Sequence, residues 1–381
     1  MANQDFVRQI DLRGFGRSPG LSVRWHIDFV LLGFLLLLCG AGLFILYSAT
    51  GRDMSVVIRQ ATYLGISLTG MLIVAQIPPR MLMQWAKWFY VAGVLLLLAV
   101  LFVGVHSKGA QRWIQLPGFR FQPSEVIKLI MPITMAAFLA RRPLPPSFKD
   151  VIYSLIIIAV PVVLIARQPD LGTSILIGSS GMFVLLLAGL RKRFIFSAIC
   201  LAVPAIYVLW QFFMYDYQKR RVLTFLNPES DPWGAGWNII QSTIAIGSGG
   251  VYGKGWLQGT QSHLDFLPES HTDFIIAVLA EEFGLMGCLV LFVLYTLILG
   301  RGIFITLNAQ TLFGRLLAGS ITLTFFVYIF VNIGMVSGLL PVVGVPLPMV
   351  SRGGTSLLTL LAGFGLLMSI HTHRSFLGVS R

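Results

Sequence analysis

Apolar segments long enough to cross a membrane dominate this chain of 381 residues. A helix that spans the hydrocarbon core needs about 20 mostly apolar residues. Ten such segments can be counted, at 29–49, 56–76, 86–105, 125–141, 151–167, 171–190, 193–213, 273–300, 313–336 and 355–372. The fourth and fifth are short, so nine or eleven spans also fit the pattern. The sequence therefore predicts an all-α polytopic membrane protein with about ten transmembrane helices.

The composition agrees with a membrane protein and excludes an ordinary soluble domain. Hydrophobic residues make up 56% of the chain and charged residues 11%, with a mean hydropathy of +0.82. A soluble domain could not bury that much apolar surface. We predict one transmembrane domain over residues 1–381, with an N-terminal arm (1–28), a large loop between the seventh and eighth helices (214–272) and a short tail (373–381). Within that loop, the segment NIIQSTIAIG predicts a short helix.

The basic residues predict how the chain is oriented. The net charge is +13, but Lys and Arg concentrate in the segments on one side of the predicted spans. These are the N-terminal arginines, Arg80, Lys87, Arg141, Arg142, Lys149, Arg191, Lys192, Arg193, Arg301, Arg315 and Arg374. Short cytoplasmic loops carry this excess of positive charge. Both termini are therefore predicted to be cytoplasmic, and the charge gives no reason to expect nucleic-acid binding.

The acidic residues sort to the other side of the membrane. Of the 15 acids, all but Asp5, Asp11, Asp28 and Asp150 fall in the predicted outer loops or at the outer ends of helices. The densest stretch is HLDFLPESHTDFIIAVLAEEFG at 263–284, whose carboxylates are Asp265, Glu269, Asp273, Glu281 and Glu282. Acids contribute little to orientation. Their asymmetry therefore predicts that the polar work of the protein is done on the outer face.

Asp273 stands at the start of the eighth predicted span. Asp is a common residue at helix N-termini, where it caps backbone N–H groups and favours the positive end of the dipole. Glu281 and Glu282 follow on the same helix, about 12–14 Å further along. Ionisable residues at membrane depth are costly and mark functional sites. Capping and a functional role both stay open for Asp273.

Two more acids open predicted spans. Glu125 precedes Lys128 by three residues, a spacing that pairs side chains on one helix face. Asp170 begins the sixth span, with Arg167 close by, and Arg112 and Arg120 lie in the loop before the fourth span. Local ion pairs and helix capping would explain these residues. Mixed charge at a membrane surface would equally suit an anionic lipid headgroup and acid–base chemistry.

The sequence requires no cofactor. The histidines lack the spacing of a zinc site. The glycine-rich segment GSGGVYGKG at 247–255 does not match the phosphate-binding loop pattern G-x-x-x-x-G-K-[ST]. Ser248 stands at the first position of the pattern and Gly255 at the last, so a turn is predicted there. A divalent cation, Mg²⁺ or Mn²⁺, held by carboxylates is left open, because hard cations take oxygen ligands.

Four blocks together resemble the SEDS family (shape, elongation, division and sporulation). They are GAQRWIQLPGFRFQPSEVIKL (109–129), RQPDLGTS (167–174), GSGGVYGKGWLQGTQSHLDFLPESHTDFIIAVLAEEFG (247–284) and GVPLPMVSRGGTS (344–356). Their wording is most similar to the member that acts in cell elongation, with the division member as the alternative. The resemblance implies ten helices in the bacterial cytoplasmic membrane. It also implies polymerisation of lipid II into β-1,4-linked glycan outside that membrane, with a class B penicillin-binding protein and elongation-complex membrane proteins as partners.

The resemblance also suggests roles for single residues. Asp273 matches the family's essential catalytic aspartate, and Glu125, Lys128 and Asp170 match polar positions that line its central cavity. Arg352 departs from the family, whose members often have Tyr there, so the role of that position is open.

An inverting transfer from a lipid diphosphate sugar needs a base and cations for the leaving group. We predict Asp273 as the base, with Glu281 and Glu282 as neighbours in the substrate site. The predicted cations are Lys128, Arg112, Arg59 and Arg120. A lipid II flippase and a non-catalytic scaffold are the competing functions, because a cavity with Glu125, Lys128 and Asp170 would also suit headgroup passage.

Overall fold

The structure is a computed structural model, and it describes residues 25–107, 110–116, 119–214, 216–227, 235–263 and 270–373. In these ranges, each of the ten predicted spans coincides with a helix. Those helices are α1 (Phe29–Ala49), α2 (Met54–Ala75), α3 (Pro79–Val103), α4 (Pro123–Leu139), α5 (Phe148–Ala166), α6 (Leu171–Leu187), α7 (Lys192–Val208), α11 (Ile275–Leu307), α12 (Leu312–Val336) and α13 (Thr355–Thr372). The predicted all-α polytopic fold class is confirmed.

Seven of these helices are long and apolar enough to cross a membrane by length and composition alone, and α6 is a shorter apolar helix. The remaining two, α4 and α7, have 17 residues each, and α7 continues into a π-helical turn at Leu209–Phe213. The chain is therefore a multi-pass membrane protein.

The long loops contain regular structure that the sequence only partly predicted. Between α3 and α4, three short strands form an antiparallel sheet in the order β1 (Val105–Ser107), β2 (Ala110–Leu116) and β3 (Phe119–Phe121). The predicted loop 214–272 holds α8 (Asp216–Leu226), α9 (Ala235–Gly249) and α10 (Thr260–His263). The helix predicted from NIIQSTIAIG is part of α9.

The ten helices run alternately, so the bundle has two ends. We call the "site end" the one where α1 meets α2, α3 meets α4, α5 meets α6, and α12 leads to α13. The other is the "opposite end". There Asp28 caps α1, and its carboxylate binds the Arg301 guanidinium at 2.9 Å and lies 3.0 Å from the His371 ring.

The core of the bundle lies around α12 and α13, whose residues are largely buried. Small residues let helices approach closely, as they do in membrane bundles. For example, a Cβ added at Gly365 of α13 would lie 2.4 Å from the Met71 carbonyl oxygen of α2. Helix α13 is thereby held closely against α2.

Helix α11 is broken at Gly284, whose backbone has φ +62° and ψ −156°. The glycine-rich loop after α9 fills the break. Lys254 N–H donates to the Glu281 carbonyl and Leu285 N–H donates to the Gly250 carbonyl, each at 3.0 Å. Residues 275–282 therefore form a short buried segment that starts at the site end, and residues 285–307 form the long remainder of the helix.

Candidate functional site

Asp273 lies at the site end, directly before the buried segment of α11. The N-cap position of that helix is occupied by Phe274, which makes no side-chain cap hydrogen bond. The Asp273 side chain is half-buried. A Cβ added at Gly344, which has φ +72°, would lie 3.6 Å from Asp273 Oδ2. The carboxylate therefore faces the backbone of the chain between α12 and α13.

The backbone around Asp273 is held from several directions. Asn332 of α12 is fully buried, and its Nδ2 donates to the carbonyl oxygens of Asp273 at 2.9 Å and of Val345 at 2.8 Å. Ser351 Oγ donates to the Thr272 carbonyl at 2.5 Å. This fixed backbone is the kind of support that a positioned catalytic group needs.

A polar cleft of about 360 Å³ opens beside this turn. It is lined by Val56, Arg59, Gln60, Tyr63, His271, Thr272, Arg352, Gly353 and Gly354. Thr272 and Asp273 are consecutive, so their Cα atoms are about 3.8 Å apart. The cleft therefore brings α2, the start of α13 and the residues before Asp273 together, and it contains two arginines.

Glu125 and Lys128 of α4 form an ion pair inside the bundle. Lys128 Nζ lies 2.7 Å from Glu125 Oε1, and the Thr359 hydroxyl of α13 donates to Glu125 Oε2 at 2.8 Å. The Lys128 ammonium also lies 5.5 Å from the centre of the Tyr328 ring. A small cavity of about 40 Å³, bounded mainly by apolar residues, adjoins this pair. The predicted i,i+3 pairing is present, and both groups contact α12 or α13 as well.

Asp170 belongs to a network that continues from the same region. Its carboxylate accepts from Thr173 N–H at 3.3 Å, which caps α6, and from Gln122 Nε2 at 3.3 Å. Arg112 Nε of β2 lies 3.7 Å from Asp170 Oδ2, and its guanidinium also donates to the carbonyls of Gln168 and Pro169. Gln122 is the N-cap residue of α4. The network therefore joins β2, α4 and α6.

Glu281 and Glu282 contact different elements of the structure. Glu281 has no exposed surface, and Oε1 accepts from Lys254 Nζ at 2.7 Å and from the backbone N–H groups of Thr260 and Gln261 at 2.7 and 3.0 Å. Glu282 is 1% exposed and accepts from the Ser48 hydroxyl of α1 at 2.5 Å. These contacts fasten the glycine-rich loop and α1 to α11. A role toward substrate stays a prediction for both glutamates.

The structure thus divides the predicted site residues into three groups. Glu125 with Lys128 and Asp170 with Arg112 form two ion pairs, Arg59 lies in the cleft beside the Asp273 turn, and Glu281 and Glu282 lie in the interior. The Arg120 side chain, Asp265 and Glu269 fall outside the described residues. The sequence did not indicate Asn332 or Thr359, because isolated amide and hydroxyl residues in apolar spans look like ordinary packing residues. It left the role of Arg352 open.

Metal binding finds no support in the described side chains. Among them, no three His, Cys, Asp or Glu residues come together in a way that could hold a metal ion. The carboxylates of Glu125, Glu281 and Glu282 accept from cationic or hydroxyl groups of the protein. The divalent cation stays a prediction.

The model of the FtsW/RodA/SpoVE family of cell cycle proteins matches residues 23–376. The chain belongs to this family. The four sequence blocks resemble this same family. The predicted family membership is therefore confirmed.

Similar members of the FtsW/RodA/SpoVE family cover nearly the whole chain. The peptidoglycan glycosyltransferase MrdB of Escherichia coli K12 is 54% identical over 366 residues, which cover 95% of this chain and 99% of MrdB. A probable peptidoglycan glycosyltransferase FtsW of Geobacter metallireducens is 37% identical over 321 residues, covering 82% of this chain and 84% of that protein. The chain is therefore more similar to MrdB than to this FtsW.

Solved structures of family members share the fold. The rod shape determining protein RodA of Thermus thermophilus matches with a TM-score of 0.69 and 28% identity, covering 91% of this chain and 98% of that protein. A chain from a peptidoglycan synthase complex that coordinates polymerization and crosslinking matches with a TM-score of 0.78 and 33% identity, covering 90% and 97%. The likeness in fold thus extends over about nine-tenths of the chain.

Proposed function

We propose that this protein is a peptidoglycan glycosyltransferase that polymerises lipid II into β-1,4-linked glycan strands during cell elongation. Its similarity to MrdB over nearly the whole chain supports the reaction class. The observation that carries the proposal is the position of Asp273. Asp273 is half-buried and lies beside a polar cleft that contains two arginines, and a hydrogen bond from Asn332 holds its backbone.

In the proposed reaction, Asp273 is the general base. The acceptor 4-hydroxyl oxygen attacks the anomeric carbon of the donor sugar, and the bond from that carbon to the diphosphate oxygen breaks. The diphosphate leaves with the electron pair, and the stereochemistry at the carbon inverts. Asp273, as a carboxylate, accepts the proton of the attacking hydroxyl.

The leaving diphosphate gains negative charge, which cations at the site end stabilise. Lys128 and Arg112 are already paired with Glu125 and Asp170. Their pairs shape the wall of the bundle and keep its interior close to neutral, because an unpaired charge there would be costly. Glu281 and Glu282 act through the loop and helix that they fasten.

The site end is assigned to the extracytoplasmic face of the bacterial cytoplasmic membrane, with both termini cytoplasmic. The described basic residues of the predicted inner loops lie at the opposite end; they are Arg80, Lys87, Arg141, Arg142, Lys149, Arg191, Lys192, Arg193, Arg301 and Arg315. This is the positive-inside arrangement. A class B penicillin-binding protein is the proposed partner that crosslinks the strands, in line with the synthase complex that shares the fold.

The substitution Asp273→Asn tests the base. It keeps the size of the side chain and removes the group that accepts the proton, so polymerisation should fall to background while the protein still folds. Asp53→Asn is the matched control, because Asp53 is an exposed cap of α2 at the same end and Asn caps helices equally well. The proteins would be reconstituted with the partner in liposomes whose lipid II is already on the site-end face.

Two results would contradict the proposal. One is polymerisation by Asp273→Asn at the wild-type rate. The other is a wild-type protein that forms no polymer where a control polymerase succeeds, yet moves labelled lipid II between leaflets. The second result would establish the flippase instead.

A further inference from the structure

We propose that the cleft between α2 and the start of α13 binds the diphosphate of a polyprenyl diphosphate lipid, with Arg59 and Arg352 as its ligands. The inference rests on the proposed function, because it assigns one part of the proposed substrate to one part of the site.

The two arginines line one cleft, Arg59 from α2 and Arg352 from the turn that precedes α13. Arg59 lies on α2 and is exposed, whereas Arg352 lies two residues before the N-cap of α13 and is partly exposed. Within the described ranges, neither guanidinium forms a salt bridge, unlike Lys128 and Arg112. Asp53, the N-cap residue of α2, is exposed to solvent. The cleft therefore presents positive charge that the described protein groups do not neutralise.

Hydrogen bonds hold the floor of the cleft, so the backbone that carries Arg352 is fixed. Gln60 is buried, and it accepts from Gly353 N–H at 3.3 Å and donates to the Ser351 carbonyl at 3.4 Å. Arg352 N–H donates to the His271 carbonyl at 3.0 Å. The turn that carries Arg352 is thus tied both to α2 and to the segment that ends at Asp273.

Glycine keeps this floor open. Gly353 and Gly354 line the cleft and carry no side chains into it, and α13 begins there without a side-chain cap. The positive end of the helix dipole therefore adds to the charge of the arginines. Arginine forks match phosphate oxygens in bidentate geometry, so a phosphate-type anion is the ligand that this chemistry selects.

The size and position of the cleft favour a lipid-borne diphosphate. A volume of about 360 Å³ falls within the usual range for ligand pockets. Tyr63 lines the cleft, and Tyr63 and Ile66 expose an apolar strip of α2 next to it. A prenyl chain can lie along this strip while the diphosphate enters the cleft. The leaving group would then be held beside the turn that presents Asp273.

Binding of undecaprenyl diphosphate to the full-length protein in neutral-lipid nanodiscs tests the proposal without turnover. Arg352→Gln and Arg59→Gln should each weaken binding about tenfold or more, the loss expected for one charge-assisted contact. Arg352→Lys keeps the charge and should lose less. Arg52→Gln is the matched control, because Arg52 is an exposed arginine at the same end outside the cleft, and it should bind within twofold of wild type.

Inorganic diphosphate and phosphatidylglycerol are the comparison ligands, and both should bind the wild type far more weakly. Equal affinity for inorganic diphosphate would overturn the role of the lipid chain, and equal affinity for phosphatidylglycerol would overturn selection of a diphosphate. Unchanged binding by Arg352→Gln and Arg59→Gln, with unchanged thermal stability, would overturn the site itself. If those variants bind normally while wild type polymerises lipid II, only this inference fails. If wild type binds the lipid but never polymerises, the proposed function fails.

Discussion

The break in α11 makes Gly284 a position where even one added methyl group should destabilise the protein. Its φ of +62° and ψ of −156° belong to a backbone region that is open essentially to glycine alone. A Cβ at this position would also lie 2.5 Å from the Gly253 nitrogen and 2.6 Å from the Val251 carbonyl. Those atoms are backbone, so Gly284→Ala cannot be relieved by a side-chain rotation. The glycine-rich loop has to move.

The expected cost follows from these contacts. Backbone strain of this kind costs about 1–3 kcal/mol. Moving the loop also endangers the hydrogen bonds that Lys254, Gly255, Leu285 and Met286 donate across the break at 3.0–3.1 Å. Each such bond contributes about 1 kcal/mol net. Gly284→Ala should therefore destabilise the protein by about 3 kcal/mol or more, since strain and at least one or two lost bonds combine.

Thermal unfolding of the purified protein in detergent would measure the effect. Gly300→Ala is the matched control, because Gly300 lies on the same helix with open space around its added Cβ. Alanine favours a helix over glycine by about 1 kcal/mol, so this variant should be as stable as wild type or slightly more stable. A Gly284→Ala protein that unfolds at the wild-type temperature would refute the account of the break.

Three further predictions follow from the described contacts. Lys128→Ala should destabilise the protein by about 3–5 kcal/mol, because it leaves the Glu125 carboxylate without its ion-pair partner in the interior. In the polymerisation assay, if the double variant Glu125→Ala/Lys128→Ala is no worse than either single variant, the pair has only a structural role. Burial raises the pKa of Asp28, but the hydrogen bonds that it accepts outweigh this and lower the pKa from 3.8 to about 2. The ionised Asp28 should contribute about 2 kcal/mol to the free energy of unfolding above roughly pH 4, and this contribution should be lost as the pH falls toward 2. In unfolding experiments across this pH range, Asp28→Asn should lack this loss of stability. Asn332→Ala should lower kcat about tenfold with little change in KM, because the residue positions backbone and contacts no substrate; a change confined to KM would contradict this.

The spanning helices could be predicted because bilayer thickness acts directly on sequence. Each span needs enough apolar residues to cross the hydrocarbon core, and that requirement is visible without knowing any neighbour. The boundaries were less certain. Helix α3 begins at Pro79, seven residues before the predicted start at 86, because a proline at the first turn favours helix initiation and the polar residues that follow still fit a helix end.

The break and the cleft could not be predicted from the apolar pattern. The span predicted at 273–300 gives no sign of a break at Gly284, and the chain has 39 glycines, so a single glycine does not indicate a positive φ. Arg59 and Arg352 are nearly 300 positions apart, and hydrophobic length carries no information about which helices pack together. The three-stranded sheet could not be predicted either, because its strands have only three to seven residues.

The acid-rich stretch before and within α11 shows how one charge cluster can serve two purposes. Glu281 and Glu282 have almost no exposed surface, and each is bound by donors from a different element, so both act on the shape of α11. Asp273 differs because it is half-buried and adjoins a cleft that a ligand can enter. A base must reach the proton that it accepts, which is why we propose Asp273 for this role and neither of the fully buried glutamates. The fastened glutamates hold the broken helix in place, and the break allows a short buried segment to present Asp273 at the site end.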